Sequence, residues 1–443
     1  MQGIFFMLIE EIYNQFIEGA GISIDSRTIQ PNQIFFALGG SPADGLIHAE
    51  DAVSKGARLA IVGNPNFSKD SRILLADSPL QTLQQLADYH RSRLSIPVLG
   101  ITGSVGKTTT KELIYSVLAT HFRTYCTQGN LNNHIGVPLS ILGISRDTEI
   151  AIIEMGANHI GEIEALCEIA KPTHGIITTI GKAHLEGFGS FEGVMIAKSE
   201  LYRYLQKNKG TAFINEEDAM LLAVSSGFEM EKIFIHDQFI SGLVAADPFL
   251  TVRIKRKGED ETIINTRIPG RYNLTNIDAA ICIGSYFKVP IEKIKLGLES
   301  YESKSNRSQL LSYGDNNYLM DAYNANPLSM EAAIRSFAEL VTRDKKILIL
   351  GEMRELGNDS AKEHLHIKEL ISEYEWEQVI LVGLQFSVLP LVPGFYYFND
   401  VTDLAAWFEK QEFKDTIFLV KGSRGVTLEK LFKDQMVNPG STH

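Results

Sequence analysis

The residues with the most chemical content lie in "PVLGITGSVGKTTTKELI", positions 97–114. Gly103 and Gly106 permit a tight turn with inward-facing amides. With Ser104 and Val105 between them, they form an anion cradle at the start of a helix. Lys107 adds a point charge for β- and γ-phosphates, and Thr108, followed by Thr109, can place a hydroxyl on Mg2+. The usual phosphate-loop spacing asks for a glycine where this chain has Ile101. That change removes one bend but not the cradle. A nucleotide site is therefore expected, in preference to a glycine-rich turn with a surface lysine.

Three other positions could serve the same phosphates. Glu154 ends the apolar run "AIIEM", and a carboxylate at a strand's C-terminal end faces the crevice where α/β sheets bind ligands. It suits a metal ion there and would suit a helix N-terminus equally well. His184 lies in the glycine-rich "GKAHLEGFGS" and Lys198 in "AKSELY". A lone histidine also serves as a packing or capping residue, and Lys198 serves equally as a salt-bridging lysine.

The elements that must position these groups follow from length and pattern. A chain of 443 residues exceeds one ordinary core, and 44% hydrophobic residues can fill several. A net charge of −12 leaves no basic excess for nucleic acid. The apolar opening is broken by Glu10 and Glu11 well short of the ~20 residues of a membrane span. It is expected to be an amphipathic packing helix, with no membrane insertion. Cys126, Cys167 and Cys282 have no disulfide or metal spacing, which fits a reducing cytoplasm. Strand-like and helix-like runs alternate in three series, implying parallel sheets with crossover helices. The expected domains are 1–94, 95–305 and 306–443, with hinges near 94 and 305 and ligands between them.

In order and content, "GSVGKTTTKE", "NLNNHIGVPLSIL", "EMGANHIGEI", "GKAHLEGFGS", "AKSELY" and "GRYNLTNIDAA" resemble the central domain of the Mur ligases. These are ATP-dependent amide-forming enzymes of peptidoglycan precursor synthesis, and they carry the same shortened loop. The resemblance implies a three-domain α/β architecture with a central P-loop ATPase-type parallel sheet and a Rossmann-like C-terminal domain. It implies that Lys107 and Thr108 hold ATP phosphates and Mg2+, that Glu154 binds metal, and that His184 holds a second Mg2+. Lys198 matches a lysine that several members carbamylate with CO2 into an anionic metal ligand. Asn273 would meet the adenine, with Asn276 structural at the helix start. Arg307 would face phosphate and Asp321 the ribose. Arg307 follows Asn306 where the family usually has glycine, and a surface arginine is its alternative.

The outer segments "IDSRTIQPNQIFFALGG", "DAYNANPLSMEAAI" and "LGEMRELGNDSAKEH" resemble members that join D-alanyl-D-alanine to UDP-N-acetylmuramoyl-tripeptide. The Asp-Asn-Pro-Arg signature of diaminopimelate-adding members is absent, and Leu46 stands where relatives usually have histidine. The implied substrate-binding set is Ser26 and Arg27 near the UDP, with Asn133, Asn324, Asn326, Lys421 and Arg424. The last two could equally be a solvated strand-end pair. The implied chemistry is phosphoryl transfer to a carboxylate, then attack by an amine on the acyl phosphate, in a cytoplasmic monomer. The competing readings are another Mur-type or folylpolyglutamate-type ligase and, in a different class, an ATP-hydrolysing switch.

Overall fold

Apolar side chains on both faces of one sheet organise the centre of the molecule. Every residue of the strands Val98–Thr102 and Ile150–Glu154 is buried. Because side chains alternate across a strand, Ile150 and Ile152 join one core while Ala151 and Ile153 join the other. A parallel sheet covered by helices on both faces accounts for such continuous apolar runs. The computed structural model describes residues 8–432, apart from 40–41, 64–69, 238, 257, 259 and 304–305. The expected hinge at 305 lies outside the described residues.

The central sheet is parallel throughout, in the order Glu231–Phe234, Thr211–Ile214, His174–Ile177, Val98–Thr102, Ile150–Glu154, Thr124–Cys126. Helices Lys107–Leu118 and Leu274–Tyr286 contribute to the core on one face, and Glu162–Ala170 and Phe191–Lys207 to the core on the other. The first sheet, Ile22–Ser23, Ile34–Phe36, Leu59–Val62 and Ile73–Leu75, is also parallel. The last sheet runs Gln309–Tyr313, Asn316–Asp321, Thr416–Lys421, Lys345–Gly351, Gln378–Val382, Phe395–Phe398. Only its Gln309–Tyr313 edge strand is antiparallel. A feature the sequence reading passed over is the antiparallel sheet Phe239–Ala246, Phe249–Arg256, Thr262–Pro269, which closes the core beside helix Leu274–Tyr286. No described helix is long and apolar enough to cross a membrane.

The opening helix is amphipathic, as expected: Ile9–Glu18 buries Ile12, Tyr13 and Phe16. They share a core with Leu83, Leu86 and Ala87 of helix Pro79–Arg91, and that core continues into Val137 and Ile141 of the central body. At the end of this helix, His90 Nε2 lies 2.9 Å from Ile144 O. Buried Arg91 donates to the carbonyls of Ala170 (2.8 Å), Lys171 (2.9 Å) and Leu94 (2.7 Å). Its charge thereby satisfies the last carbonyls of helix Glu162–Ala170. The hinge expected near 94 is therefore tied on both sides by a shared apolar core and a buried cation.

Arg91→Met should lower unfolding stability by about 2–4 kcal/mol, since it leaves buried carbonyls without donors while keeping most of the side-chain bulk. Urea unfolding of the full chain measures this, and a loss below about 0.5 kcal/mol would place Arg91 among ordinary surface residues.

Candidate active site

The strand Val98–Thr102 runs on to Thr102, so Ile101 is a buried strand residue in register with Glu154 and Ile176. The loop therefore begins at Gly103, with φ 146°, and ends at Gly106, with φ 84°. Both glycines are required. A Cβ at Gly103 would lie 2.1 Å from Thr178 Oγ1, and one at Gly106 would lie 2.9 Å from Asn276 Oδ1. Val105 N–H is fixed by Thr179 Oγ1 at 3.1 Å, and Ser104 Oγ donates to Gly181 O at 2.9 Å. Lys107 Nζ folds back on Gly103 O at 2.6 Å. Burial pulls its pKa below the usual lysine range.

Glu154 is 1% exposed, and four side chains converge on it. Thr108 Oγ1 lies 3.0 and 3.2 Å from its two oxygens, and Asn132 Nδ2 donates at 2.8 Å. Lys111 Nζ stands 3.7 Å away and donates to Thr127 O, while Thr127 Oγ1 accepts the Glu154 N–H. Lys111 and Asn132 were not among the sequence candidates. Lys111 lies four residues after Lys107, and that helical spacing was the available signal.

His184 has left-handed backbone angles (φ 53°) before the short helix Leu185–Phe188. Its Nδ1 lies 2.5 Å from Glu355 Oε2, an ion pair only when the ring is protonated. Burial lowers its pKa, Glu355 opposes the shift, and Lys107 and Lys198 add to it. Lys198 is 2% exposed, with its amine 5.2 Å from the Phe188 ring centre and 3.5 Å from Ala157 O. It has no ion pair among the described residues. Burial, then the charge of Lys107, depress its pKa to about 7.

The adenine-side and last-sheet candidates meet at a polar seam. Asn273 is buried, with Nδ2 donating to Pro269 O (2.8 Å) and Ser308 Oγ (3.2 Å) and Oδ1 accepting from Asn276. Asn276 also accepts from Thr110 Oγ1. Asp321 accepts the Ser308 N–H and pairs with Lys421 at 2.5 Å. Lys421 is 2% exposed, so the solvated strand-end alternative does not hold for it, whereas Arg424 is exposed. Arg307 stacks 3.5 Å above the Tyr323 ring, with Arg424 5.4 Å from the same ring. Asn326 caps helix Pro327–Glu339 by accepting the Ser329 N–H, and Asn324 accepts the Ala325 N–H. Asn133 similarly accepts from Ile135 and Gly136.

These residues surround a cavity of about 1150 Å³ that draws on the surroundings of the first, central and last sheets, from Gln84 through the 103–109 loop, Glu154 and His184 to Asp321 and Lys421. Lys198 is not in its lining, and its amine approaches the carbonyl of Ala157, which is. Ser26 and Arg27 are not in its lining. Ser26 is buried, and exposed Arg27 forms a forked pair with Asp25, which holds that carboxyl down at about 2.

Residues 101–284 match the Mur ligase middle domain, and residues 306–424 match the Mur ligase glutamate ligase domain. The UDP-N-acetylmuramoyl-tripeptide--D-alanyl-D-alanine ligase of Bacillus subtilis (strain 168) is 33% identical, covering 95% of this chain and 93% of its own. The enzyme of that name from Escherichia coli (strain K12) is 30% identical, covering 96% of each. Among solved structures, MurF from Acinetobacter baumannii has a TM-score of 0.83 at 28% identity, covering 94% of this chain and 93% of that one. The MurF ligase from Thermotoga maritima, in complex with ADP, has a TM-score of 0.80 at 25% identity, covering 93% and 96%. Likeness of this extent, on a chain whose loop, carboxylate and seam already converge on one cavity, has a single meaning: the protein belongs to the Mur ligase family.

Proposed function

We propose that this protein is the ATP-dependent ligase that joins D-alanyl-D-alanine to UDP-N-acetylmuramoyl-tripeptide in peptidoglycan precursor synthesis. The observation that carries the reading is the single cavity in which the phosphate loop and Glu154 face His184 and the Asp321–Lys421 seam. Relatives bearing that enzyme's name, alike across nearly the whole chain, support it. ATP occupies the loop, as ADP accompanies the Thermotoga maritima relative. The proposal includes domains 1–94, 95–305 and 306–443, and action as a cytoplasmic monomer.

An amide does not form from a free carboxylate in water, so the acid must first gain a leaving group. The loop amides and Lys107 hold the β- and γ-phosphates in line with the tripeptide's terminal carboxylate. A carboxylate oxygen takes the γ-phosphoryl group from ADP's oxygen, giving an acyl phosphate. The dipeptide nitrogen then bonds to the acyl carbon as the carbon–oxygen bond to phosphate breaks. Of the two protons the ammonium loses, one leaves with phosphate and the other enters solvent. Closure of the domains over the bound substrates excludes the water that would otherwise intercept the acyl phosphate. Asn273 and Asp321 serve the nucleoside end, Arg307 the phosphates, and Ser26 and Arg27 the distant uridine end. Asn133, Asn324, Asn326, Lys421 and Arg424 belong to the substrate wall, with Asn326 and Lys421 acting through the backbone they hold.

Buried Thr108 and Glu154, 3.0–3.2 Å apart on the cavity floor, fit a Mg2+ ion. Among the described residues there is no cluster of three His, Cys, Asp or Glu side chains suited to a metal. Mg2+ takes one or two protein ligands and completes its shell with phosphate and water. A second ion would fall to His184 and Lys198. When bound, the ions neutralise charge developing on the transferring group. Burial of the Lys198 amine favours carbamylation: with a pKa near 7, much of it is the neutral form that attacks CO2, releasing a proton to leave an anionic carbamate.

Incubation with ATP, Mg2+, D-alanyl-D-alanine and the UDP-tripeptide should yield a product heavier by the dipeptide less one water. Phosphate release should require both acceptor substrates. Release without them, and without product, identifies the switch reading instead. Lys107→Ala should reduce kcat by about 10²–10³ or more while calorimetry shows UDP-tripeptide affinity little changed. Lys198→Ala should be nearly inactive and partly restored by acetate, with Lys198→Arg inactive. Retained activity in Lys198→Arg with no acetate rescue would remove the carbamate from this scheme.

A further inference from the structure

One short loop that follows the last sheet's strand Lys345–Gly351, residues 353–356, carries charge into the cavity that the steps above leave unused. Its backbone is held at three points. Met353 N–H donates to Nε2 of buried His364 at 2.9 Å, and Ser360 O fixes the other ring nitrogen at 2.7 Å. Arg354 N–H donates to Ser423 Oγ at 3.0 Å, and Glu355 O accepts the Glu186 N–H at 3.3 Å. Glu355 consequently has φ 64°, a left-handed conformation disfavoured by its Cβ and retained only where surrounding contacts enforce it.

This strain presents two adjacent, exposed side chains of opposite sign, both in the cavity lining. The Arg354 guanidinium lies flat on Gly425, where a Cβ would meet Nη1 at 2.1 Å, and Glu352 steadies it at 3.5 Å. Glu355 Oε2 reaches His184 at 2.5 Å, and His184 in turn senses both Lys107 and Lys198. The anion of the pair therefore lies beside His184 and the cation beside Gly425. A neighbouring anion and cation match a short zwitterion, whose ammonium must approach the acyl carbon while its carboxylate stays clear.

Resting on the ligase reading above, we propose that Glu355 and Arg354 form the recognition pair for the incoming dipeptide. Glu355 receives its ammonium and Arg354 its C-terminal carboxylate. The pair sets the direction from which the nitrogen attacks, and His364 is a positioning residue that acts through the Met353 amide.

The test is steady-state kinetics on the full chain, varying each substrate in turn. Glu355→Gln should raise the KM for D-alanyl-D-alanine about tenfold or more, the scale of a lost charge-assisted contact, with the KM for ATP and UDP-tripeptide within about twofold. Arg354→Met should do the same for D-alanyl-D-alanine. It should leave the KM for D-alanyl-D-alaninamide, which lacks the carboxylate, where the unsubstituted enzyme has it. Equal increases for all substrates in both variants would reduce the loop to a domain contact and overturn the assignment. So would an arginine variant that handles acid and amide with the same defect. A working enzyme whose dipeptide KM does not move in Glu355→Gln overturns this assignment alone. An unsubstituted enzyme that makes no amide overturns the ligase reading and the assignment with it.

Discussion

A carboxylate buried at the end of a strand must be matched, because an unpaired buried charge costs several kcal/mol. Glu154 is matched by groups from three places: Thr108 and Lys111 on the loop's helix, Asn132 on the following segment, and Thr127 beneath it. Satisfying one carboxylate therefore fixes helix Lys107–Leu118 against strand Ile150–Glu154 and sets the N-terminal turn of that helix over the crevice. The phosphate loop inherits its position from this arrangement. Its own glycines are clamped by Thr178 on one side and Asn276 on the other.

The two junctions around the central body are made of different materials. Toward the first sheet the contact is a continuous apolar core reinforced by Arg91. Toward the last sheet it is mostly polar, through Tyr272 and Asn273 to Ser308, Lys182 to Glu363, and His184 to Glu355. Parting an apolar core exposes surface that water disfavours, whereas polar contacts can be exchanged for water at small net cost. The second junction is therefore the easier of the two to part.

Much of this was legible in the sequence, for identifiable reasons. Gly103, Gly106, Lys107 and Thr108 are unusual types at a constrained spacing between an apolar run and a helical pattern, so the loop could be located. The parallel sheets followed from the alternation of elements. The antiparallel sheet was also written in the chain, since Leu250, Val252 and Ile254 are buried alternately with exposed Arg253 and Lys255. Other features depended on pairings that no local pattern carries. Asp321 and Lys421 are register partners on adjacent parallel strands a hundred residues apart, and each alone reads as a surface charge. Asn132, Tyr323 and Glu355 are ordinary residue types whose place in the cavity is set by other elements. Asn326 carried a signal that was open to another interpretation: an asparagine directly before proline is a helix start, and it does cap one.

The cations in and around the cavity divide according to what answers their charge. Lys111, Lys182 and Lys421 each have a carboxylate of the chain itself, at 3.7, 2.6 and 2.5 Å. They hold elements together and are saturated. Among the described residues, Lys107 and Lys198 hydrogen-bond only to backbone carbonyls, Gly103 O and Ala157 O, and the Phe188 ring lies beside Lys198. Each also raises the electrostatic cost of the other or of His184, because their like charges are held close in a region of low dielectric. A fold selected for stability alone would pair or replace them. At Lys107 that charge stands on the phosphate loop, and at Lys198 burial and the charge of Lys107 depress the amine's pKa to about 7. Such preorganised charge need not rearrange when the phosphoryl group moves, and its cost is borne by the buried strands and the Glu154 network that hold it in place.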